Sequence, residues 1–141
     1  MIAYFDTSAF AKLVIDEPGS DHARTAWRAA DQRVSSHLLY VEARAAVARA
    51  ERSGRATRRQ AALVRALVDD LWQDVTRIDP DEAVVEKAAE LCDRYGLRAY
   101  DAVHLASCES LDDDGVVLVA ADGDLLSAAR SQRLATLQVP S

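Results

Sequence analysis

Short apolar runs along the chain predict β-strands. Three of these runs are rich in β-branched or aromatic residues and lie at 2–5, 75–78 and 116–119. Weaker runs at 33–36 and 136–139 predict two more strands. Runs of about four to eight such residues are typical of buried strands. The pattern therefore predicts about five strands.

Longer segments between these strands carry apolar residues at intervals of three and four. This spacing places the residues on one face of a helix. Four or more helices are predicted. The apolar stripes consist of Val41, Val47 and Ala48, then Leu63, Val64, Leu67, Val68 and Leu71, then Val84, Val85, Ala88, Ala89 and Leu91.

Cap and turn residues predict where some helices begin and end. The pair at 53–54, Ser-Gly, separates two helical segments, and Thr57 is a suitable N-cap for the second. Pro80 suits a first helical turn, and Gly96 suits a helix C-terminus.

Strands that alternate with helices predict an α/β fold. We expect a central, mostly parallel sheet of about five strands with helices on both faces. The 141 residues match the usual size of one domain, and no repeat or linker divides them. A single domain over 1–141 is therefore expected.

Composition and charge exclude some classes of protein. The net charge of −6 argues against a protein that coats nucleic acid by bulk electrostatics, but not against an enzyme whose acids hold cations. No apolar run approaches the roughly 20 residues of a spanning helix, and the N-terminus has no basic segment, so a cytoplasmic protein is expected. Cys92 and Cys108 lack metal-site spacing and are expected to be reduced thiols.

Four acidic residues lie where the predicted strands end or helices begin. Asp6 follows the first strand and Asp122 follows the strand at 116–119, while Glu42 and Asp101 are surrounded by apolar neighbours near helix starts. Ligands of open α/β sheets collect at the carboxyl ends of the strands, so these acids are the first chemical candidates. Taken singly, an Asp such as Asp6 can equally be a helix N-cap.

Carboxylates that converge on one pocket repel each other unless positive charge lies between them. Oxygen-only ligands select hard cations such as Mg²⁺ or Mn²⁺. Such ions suit phosphate chemistry, because a metal can activate a water as nucleophile and neutralise the leaving oxygen. The four acids therefore predict a site for a hard divalent cation that is suited to phosphate chemistry.

Four sequence blocks stand in order along the chain. They are Asp6-Thr7-Ser8-Ala9-Phe10, Glu42 within a helix, Tyr100-Asp101-Ala102-Val103-His104-Leu105-Ala106 and Ala121-Asp122-Gly123-Asp124-Leu125. Their order and rough spacing resemble those of the PIN domain, and the chain looks most like a VapC-type ribonuclease toxin. The resemblance implies that Asp6, Glu42, Asp101 and Asp122 are catalytic and bind one or two Mg²⁺ or Mn²⁺ ions, with Asp124 as an accessory ligand.

The same resemblance implies the reaction and the partners. The reaction is endonucleolytic cleavage of RNA that leaves a 5′-phosphate and a 3′-hydroxyl. The partners are a small antitoxin, whose tail offers an arginine to the acids, and a second copy in a homodimer or a higher toxin–antitoxin assembly. Ser8 matches a hydroxyl residue that supports the carboxylates, whereas the alanines at 120–121 replace a Ser or Thr of many relatives.

A strongly basic segment follows Glu42. Seven arginines lie between residues 44 and 65 against one acid, Glu51, on a predicted helical hairpin. They either contact the RNA backbone or form a solvated helix face. The candidates for RNA binding are Arg49, Arg52, Arg55, Arg58 and Arg59.

Three further side chains have structural interpretations. His104 shares a helical face with Asp101, and a buried, hydrogen-bonded role is favoured over that of a ligand or general acid. Lys12 is expected to pair with Asp16 at i, i+4. Trp27 and Trp72 lie on apolar stripes and are expected to anchor the core or an interface.

The same residues are also compatible with a non-catalytic PIN-like module that binds RNA or protein. Two phosphotransfer classes fit poorly. Haloacid dehalogenases need Asp-x-Asp, but Ser8 stands two residues after Asp6. Response-regulator receivers need a late lysine, and the only lysines are Lys12 and Lys87.

Overall fold

A five-stranded parallel sheet forms the centre of the fold. The computed structural model describes residues 1–141. All four strand pairings are parallel, and the strand order is β3-β2-β1-β4-β5. The predicted sheet is confirmed, including the two weaker strands. The strands are β1 Ile2–Phe5, β2 Gln32–Ser36, β3 Val75–Ile78, β4 Val116–Ala120 and β5 Ala135–Gln138.

Seven helices connect and cover the strands, in agreement with the prediction of four or more. None of them is both long enough and apolar enough to cross a bilayer. The helices are α1 Thr7–Val14, α2 Ser20–Ala29, α3 Leu38–Arg52, α4 Arg58–Trp72, α5 Glu82–Tyr95, α6 Ala99–Ser110 and α7 Gly123–Ser131.

The central strand β1 is buried on both faces, as the crossover connections of a parallel sheet require. Successive side chains point to opposite faces, so Tyr4 belongs to one apolar core and its neighbours Ala3 and Phe5 to another. The Tyr4 core includes residues of α5, α6 and α7, and the other core includes residues of α1 to α4. Trp27 and Trp72 are buried in this second core, as predicted.

Local capping groups set the ends of several helices. The Thr57 side chain and the Gln60 side chain form a capping box at the start of α4, and Gly96 ends α5 in a left-handed conformation with φ 66°. The prediction for Pro80 is wrong. Helix α5 begins at Glu82, because the Asp81 carboxylate accepts the backbone N–H of Val84 and makes Asp81 the N-cap.

The topology determines where a ligand site can lie. From β1 the chain builds β2 and β3 on one side of the sheet, and it then places β4 and β5 on the other side of β1. A reversal of strand order of this kind opens a crevice beyond the carboxyl ends of the strands that flank it. Here those strands are β1 and β4, which are followed by Asp6 and Asp122.

Candidate active site

Asp6 is a buried carboxylate at the carboxyl end of β1. Its side chain caps α1 by accepting the N–H of Ala9 at 2.9 Å, and both of its oxygens lie within 2.8 Å of the Ser8 hydroxyl. Burial raises the pKa of Asp6 from 3.8 to about 6, against the opposing effects of His104 and of these hydrogen bonds. Asp6 is therefore both a helix cap and a carboxyl group whose ionised form is disfavoured.

Ser8 joins the ends of the two central strands. Its hydroxyl donates to Asp6 and accepts the backbone N–H of Ala121 at 2.9 Å. Ala121 is one of the two alanines at 120–121 that the resemblance identified as replacing a Ser or Thr. Its main-chain N–H supplies a hydrogen bond to the Ser8 hydroxyl.

Glu42 is held by a network of polar groups on α1 and α6. Its Oε1 accepts the Thr7 hydroxyl at 2.9 Å and lies 2.8 Å from Nε2 of His104. The other ring nitrogen of His104 lies 2.8 Å from the hydroxyl of Tyr4. Since a carboxylate only accepts hydrogen bonds, Nε2 carries a proton and Nδ1 can accept from Tyr4. His104 is thus a buried, hydrogen-bonded residue, as the sequence favoured.

Arg98 links the two remaining acids. Its Nε donates to Oδ2 of Asp101 at 2.8 Å, and its Nη2 donates to Oδ2 of Asp122 at 2.9 Å. The other oxygen of Asp122 accepts the N–H of Leu125 and caps α7. Burial raises the pKa of Asp101 in spite of the arginine, and the two carboxylates raise the pKa of Arg98. The guanidinium is therefore a positive charge placed between two acids.

The structure brings all four acids of the quartet to one edge of the sheet. Asp101 is close enough to Asp6 to raise its pKa, and Asp122 has the same effect on Asp101. Glu42 joins this group through Thr7, the residue next to Asp6. Asp124 is exposed on the first turn of α7 and lies at the margin of the group, where it contributes to the raised pKa of Arg98.

The chemistry of these donors fits a hard divalent cation. All four are carboxylates, the oxygen ligands that Mg²⁺ and Mn²⁺ prefer. No three His, Cys, Asp or Glu side chains lie close enough together to hold one ion in this arrangement. Instead, Arg98 supplies the positive charge between Asp101 and Asp122. The site therefore has the oxygen donors that hard cations prefer and several negative charges that a cation would balance. Its side chains are not arranged as a complete coordination site for one ion.

The predicted basic hairpin is formed by α3 and α4. Two of its arginines are paired with acids, Arg44 with Asp69 and Arg65 with Glu51. Five others are exposed, and none of them forms an ion pair; Arg55 donates to the Ser53 hydroxyl. These five are Arg49, Arg52, Arg55, Arg58 and Arg59.

Lys12 does not form the predicted pair with Asp16. Its ammonium is buried and donates to Glu17 at 3.2 Å and to the carbonyl of Pro18 at 2.7 Å. Helix α1 ends at Val14, so Asp16 no longer lies on the helical face that an i, i+4 pair requires. Lys12 therefore fixes the loop after α1 and takes no part in the acidic site.

Two further side chains, Thr7 and Arg98, belong to the site although no sequence pattern assigned them a role there. Thr7 follows Asp6 directly, but its contact with Glu42 joins positions 35 residues apart and leaves no local pattern. Arg98 precedes Asp101 by three residues, which is a recognisable helical ion-pair spacing. That spacing could have indicated the Asp101 contact, whereas the contact with Asp122 depends on the tertiary fold.

Known proteins are similar to this chain in sequence or in fold. The family model of the PIN domain matches residues 3–131. Ribonuclease VapC45 of Mycobacterium tuberculosis is 36% identical over 130 residues, which cover 92% of this chain and 90% of that protein. VapBC2 from Rickettsia felis, bound to a DNA fragment from their promoter, gives a TM-score of 0.69 at 13% identity and 99% coverage of both chains. VapC20 of M. tuberculosis, a sarcin–ricin loop cleaving toxin, gives 0.67 at 21% identity, covering 89% of this chain and 94% of its own.

Proposed function

The chain belongs to the PIN domain family and is of the VapC type; from this premise we propose that it is an endoribonuclease that acts as the toxin of a toxin–antitoxin pair. VapC45 is named a ribonuclease, and VapC20 is described as a toxin that cleaves the sarcin–ricin loop. The observation that carries the proposal is the gathering of Asp6, Glu42, Asp101 and Asp122 at one edge of the sheet.

The acidic quartet has distinct supports that suit it to hold one or two Mg²⁺ or Mn²⁺ ions. Asp6 and Asp122 are fixed by capping hydrogen bonds, while Glu42 is oriented by Thr7 and His104. When bound, such an ion supplies a Lewis acid that lowers the pKa of a water and neutralises charge on the phosphate. The chain's own residues hold these carboxylates in place through their hydrogen bonds.

RNA approaches the site along the basic hairpin in this proposal. The exposed arginines of α3 and α4 are free to contact backbone phosphates, since none of them is neutralised by an acid. They extend from Arg49, which lines the same cavity as Glu42, to the start of α4. The net charge of the chain is −6, so this hairpin is a local basic surface on an acidic protein.

A small antitoxin and a second copy of the chain are the proposed partners. VapBC-5 of Mycobacterium tuberculosis is described as a member of the VapBC family of toxin–antitoxin systems, and VapBC2 of Rickettsia felis was solved bound to a DNA fragment from their promoter. An antitoxin arginine inserted among the carboxylates would supply the charge that Arg98 supplies here to Asp101 and Asp122. A homodimer, or a larger toxin–antitoxin assembly, completes the proposal.

The nuclease activity is testable with protein purified free of any partner. We expect cleavage of total cellular RNA with Mg²⁺ or Mn²⁺ and loss of cleavage with a chelator. Mapped fragments should begin with a 5′-phosphate and end in a 3′-hydroxyl. Protein that binds RNA but never cuts it under either metal would favour a non-catalytic binding module instead.

The toxin role has a separate test in cells. Expression of the chain should arrest growth, and co-expression of a neighbouring small gene should restore it. The product of that gene should also co-purify with the chain. Harmless expression with no co-purifying partner would remove the toxin part of the proposal and leave the nuclease part standing.

Arg98 is expected to compete with a divalent ion for the carboxylates. Because its side chain is 77% exposed, each of its ion pairs contributes at most about 1 kcal/mol. We therefore expect Arg98→Gln to tighten Mn²⁺ binding by about threefold to tenfold, measured by isothermal titration calorimetry. Arg94→Gln, at an exposed arginine of α5 that bonds Gln132, is the matched control. Weaker Mn²⁺ binding by Arg98→Gln would mean that the arginine orders the acids for the ion.

A further inference from the structure

The cavity that Arg49 and Glu42 line lies beside the acidic quartet. It measures about 300 Å³ and shares Thr7 and Glu42 with the site already described. Leu38, Val41, Ala45 and Ala46 form its apolar wall, and Arg49 and Tyr100 complete its lining. A molecule bound here would therefore touch the same Glu42 that belongs to the quartet.

The aromatic ring of Tyr100 is exposed at this cavity. It is 59% exposed, directly precedes Asp101, and forms no side-chain hydrogen bond or aromatic pair. Val41, which also lines the cavity, is 64% exposed. The three other tyrosines are at least partly buried and each bonds through its hydroxyl, Tyr4 with His104, Tyr40 with Asp69 and Tyr95 with Gln132. The ring of Tyr100 thus has an aromatic face with no partner inside the fold.

Arg49 supplies an unneutralised positive charge at the same cavity. Its side chain forms no hydrogen bond and no ion pair, whereas Arg44, five residues earlier on α3, is held by Asp69 and Tyr40. Arg49 lies two turns after Glu42 and so on the same face of α3. The cavity therefore combines a free aromatic ring, an apolar wall and a free guanidinium next to carboxylates.

These features match a nucleotide. Bases stack on exposed aromatic rings, and arginine binds the phosphate of the backbone. We propose that this cavity is a nucleotide subsite for the RNA substrate, in which Tyr100 stacks on a base next to the scissile phosphate and Arg49 contacts a neighbouring phosphate. The proposal rests on the ribonuclease function proposed above. It requires a base that is free to leave its helix, because a paired base has no open face for Tyr100.

The test is RNA binding in the presence of a chelator, where no cleavage occurs. The probe is a fluorescent single-stranded oligouridylate, with an abasic ribose-phosphate oligomer of the same length as comparison. Tyr100→Ala should weaken binding of the oligouridylate about tenfold, the size expected for one base–aromatic stack, and leave binding of the abasic oligomer unchanged. Tyr100→Phe should bind like the wild type, because stacking does not need the hydroxyl.

Arg49→Gln should act differently from Tyr100→Ala. It should weaken binding of both oligomers and lower the slope of log affinity against log salt by about 0.7, as loss of one contact to single-stranded phosphate predicts. Arg28→Gln, at an exposed arginine of α2 that forms no ion pair and lies outside the cavity and the basic hairpin, is the matched control. Equal effects of the Arg49 and Arg28 variants would reduce the contribution of Arg49 to its net charge and overturn its assignment to the subsite.

Two further outcomes would overturn the subsite. One is that Tyr100→Ala binds the oligouridylate as tightly as the wild type does, or that the wild type does not bind this oligomer at all. The other is dissociation of a dimer by Tyr100→Ala in analytical ultracentrifugation, which would assign this face to a second copy. Failure of the ribonuclease proposal is distinct: the wild type would then bind RNA through Tyr100 and still not cut it with either metal.

Discussion

Replacement of Asp101 by Asn is expected to lower the rate of RNA cleavage by about a thousandfold, a loss of several kcal/mol that is typical when a metal-supporting charge is removed. The protein should remain folded, since Asp101 caps no helix and an Asn oxygen can still accept the hydrogen bond from Arg98. Burial of Asp101 beside a specific charged partner is the environment in which functional carboxylates are found.

The same loss is expected for Asn at two other positions of the quartet. Asp6 and Asp122 are both N-caps, and Asn keeps the cap acceptor while removing the charge. Asp93→Asn, at an exposed acid of α5 with no side-chain hydrogen bond, is the matched control and should cleave at the wild-type rate. Initial rates on one defined RNA, with thermal unfolding of each variant, provide the measurement. Wild-type rates for Asp6→Asn and Asp101→Asn would defeat the assignment of the quartet.

Asp6→Asn is also expected to stabilise the protein when no divalent ion is present. The pKa of Asp6 rises from 3.8 in the unfolded chain to about 6 in the folded protein, so folding disfavours the ionised carboxyl group. The cost is absent below pH 4, grows between pH 4 and 6, and is complete above pH 6. It corresponds to about 3 kcal/mol at neutral pH, or roughly 10 °C in Tm for a chain of this length.

The measurement is the Tm of wild type and Asp6→Asn in chelator at pH 5 and pH 8. Asp6→Asn should raise the Tm at pH 8 and have roughly half that effect at pH 5. Mn²⁺ should stabilise the wild type more than the variant. Asp81→Asn, at the exposed N-cap of α5, preserves the capping geometry without the burial and should leave the Tm nearly unchanged. A lower Tm for Asp6→Asn at pH 8 would mean that the carboxylate contributes more through its hydrogen bonds than burial costs.

Local patterns predicted most of the fold because the hydrophobic effect acts on them directly. The run at 116–119 contributes residues to both apolar cores, and Val64, Val68 and Leu71 of the α4 stripe pack in one of them. Leu63 and Leu67 of the same stripe are exposed. The weaker strands were harder to recognise, since β5 has no buried residue and β2 contains three polar residues before its last position. Strand β5 is placed in the sheet by its pairing with β4, and strand β2 by its pairing with β1 and β3.

Both incorrect predictions depend on the residue at which a helix begins or ends. The i, i+4 pair of Lys12 with Asp16 needs one more turn of α1, but the helix ends at Val14. The assignment of Pro80 needed a helix two residues longer than the one that Asp81 caps. Helix ends depend on which side chain reaches the free backbone N–H groups, and several side chains near an end compete for that role.

The chain by itself determined the strands, the helical stripes and which acids stand at strand ends, because each follows from spacing along a few residues. Only the tertiary structure decided that Arg98 joins Asp101 to Asp122, that Thr7 and His104 orient Glu42, and that burial holds the pKa of Asp6 near 6. These contacts join residues that are far apart in the sequence. Their energies depend on distance and on exclusion of water, which only the folded chain defines.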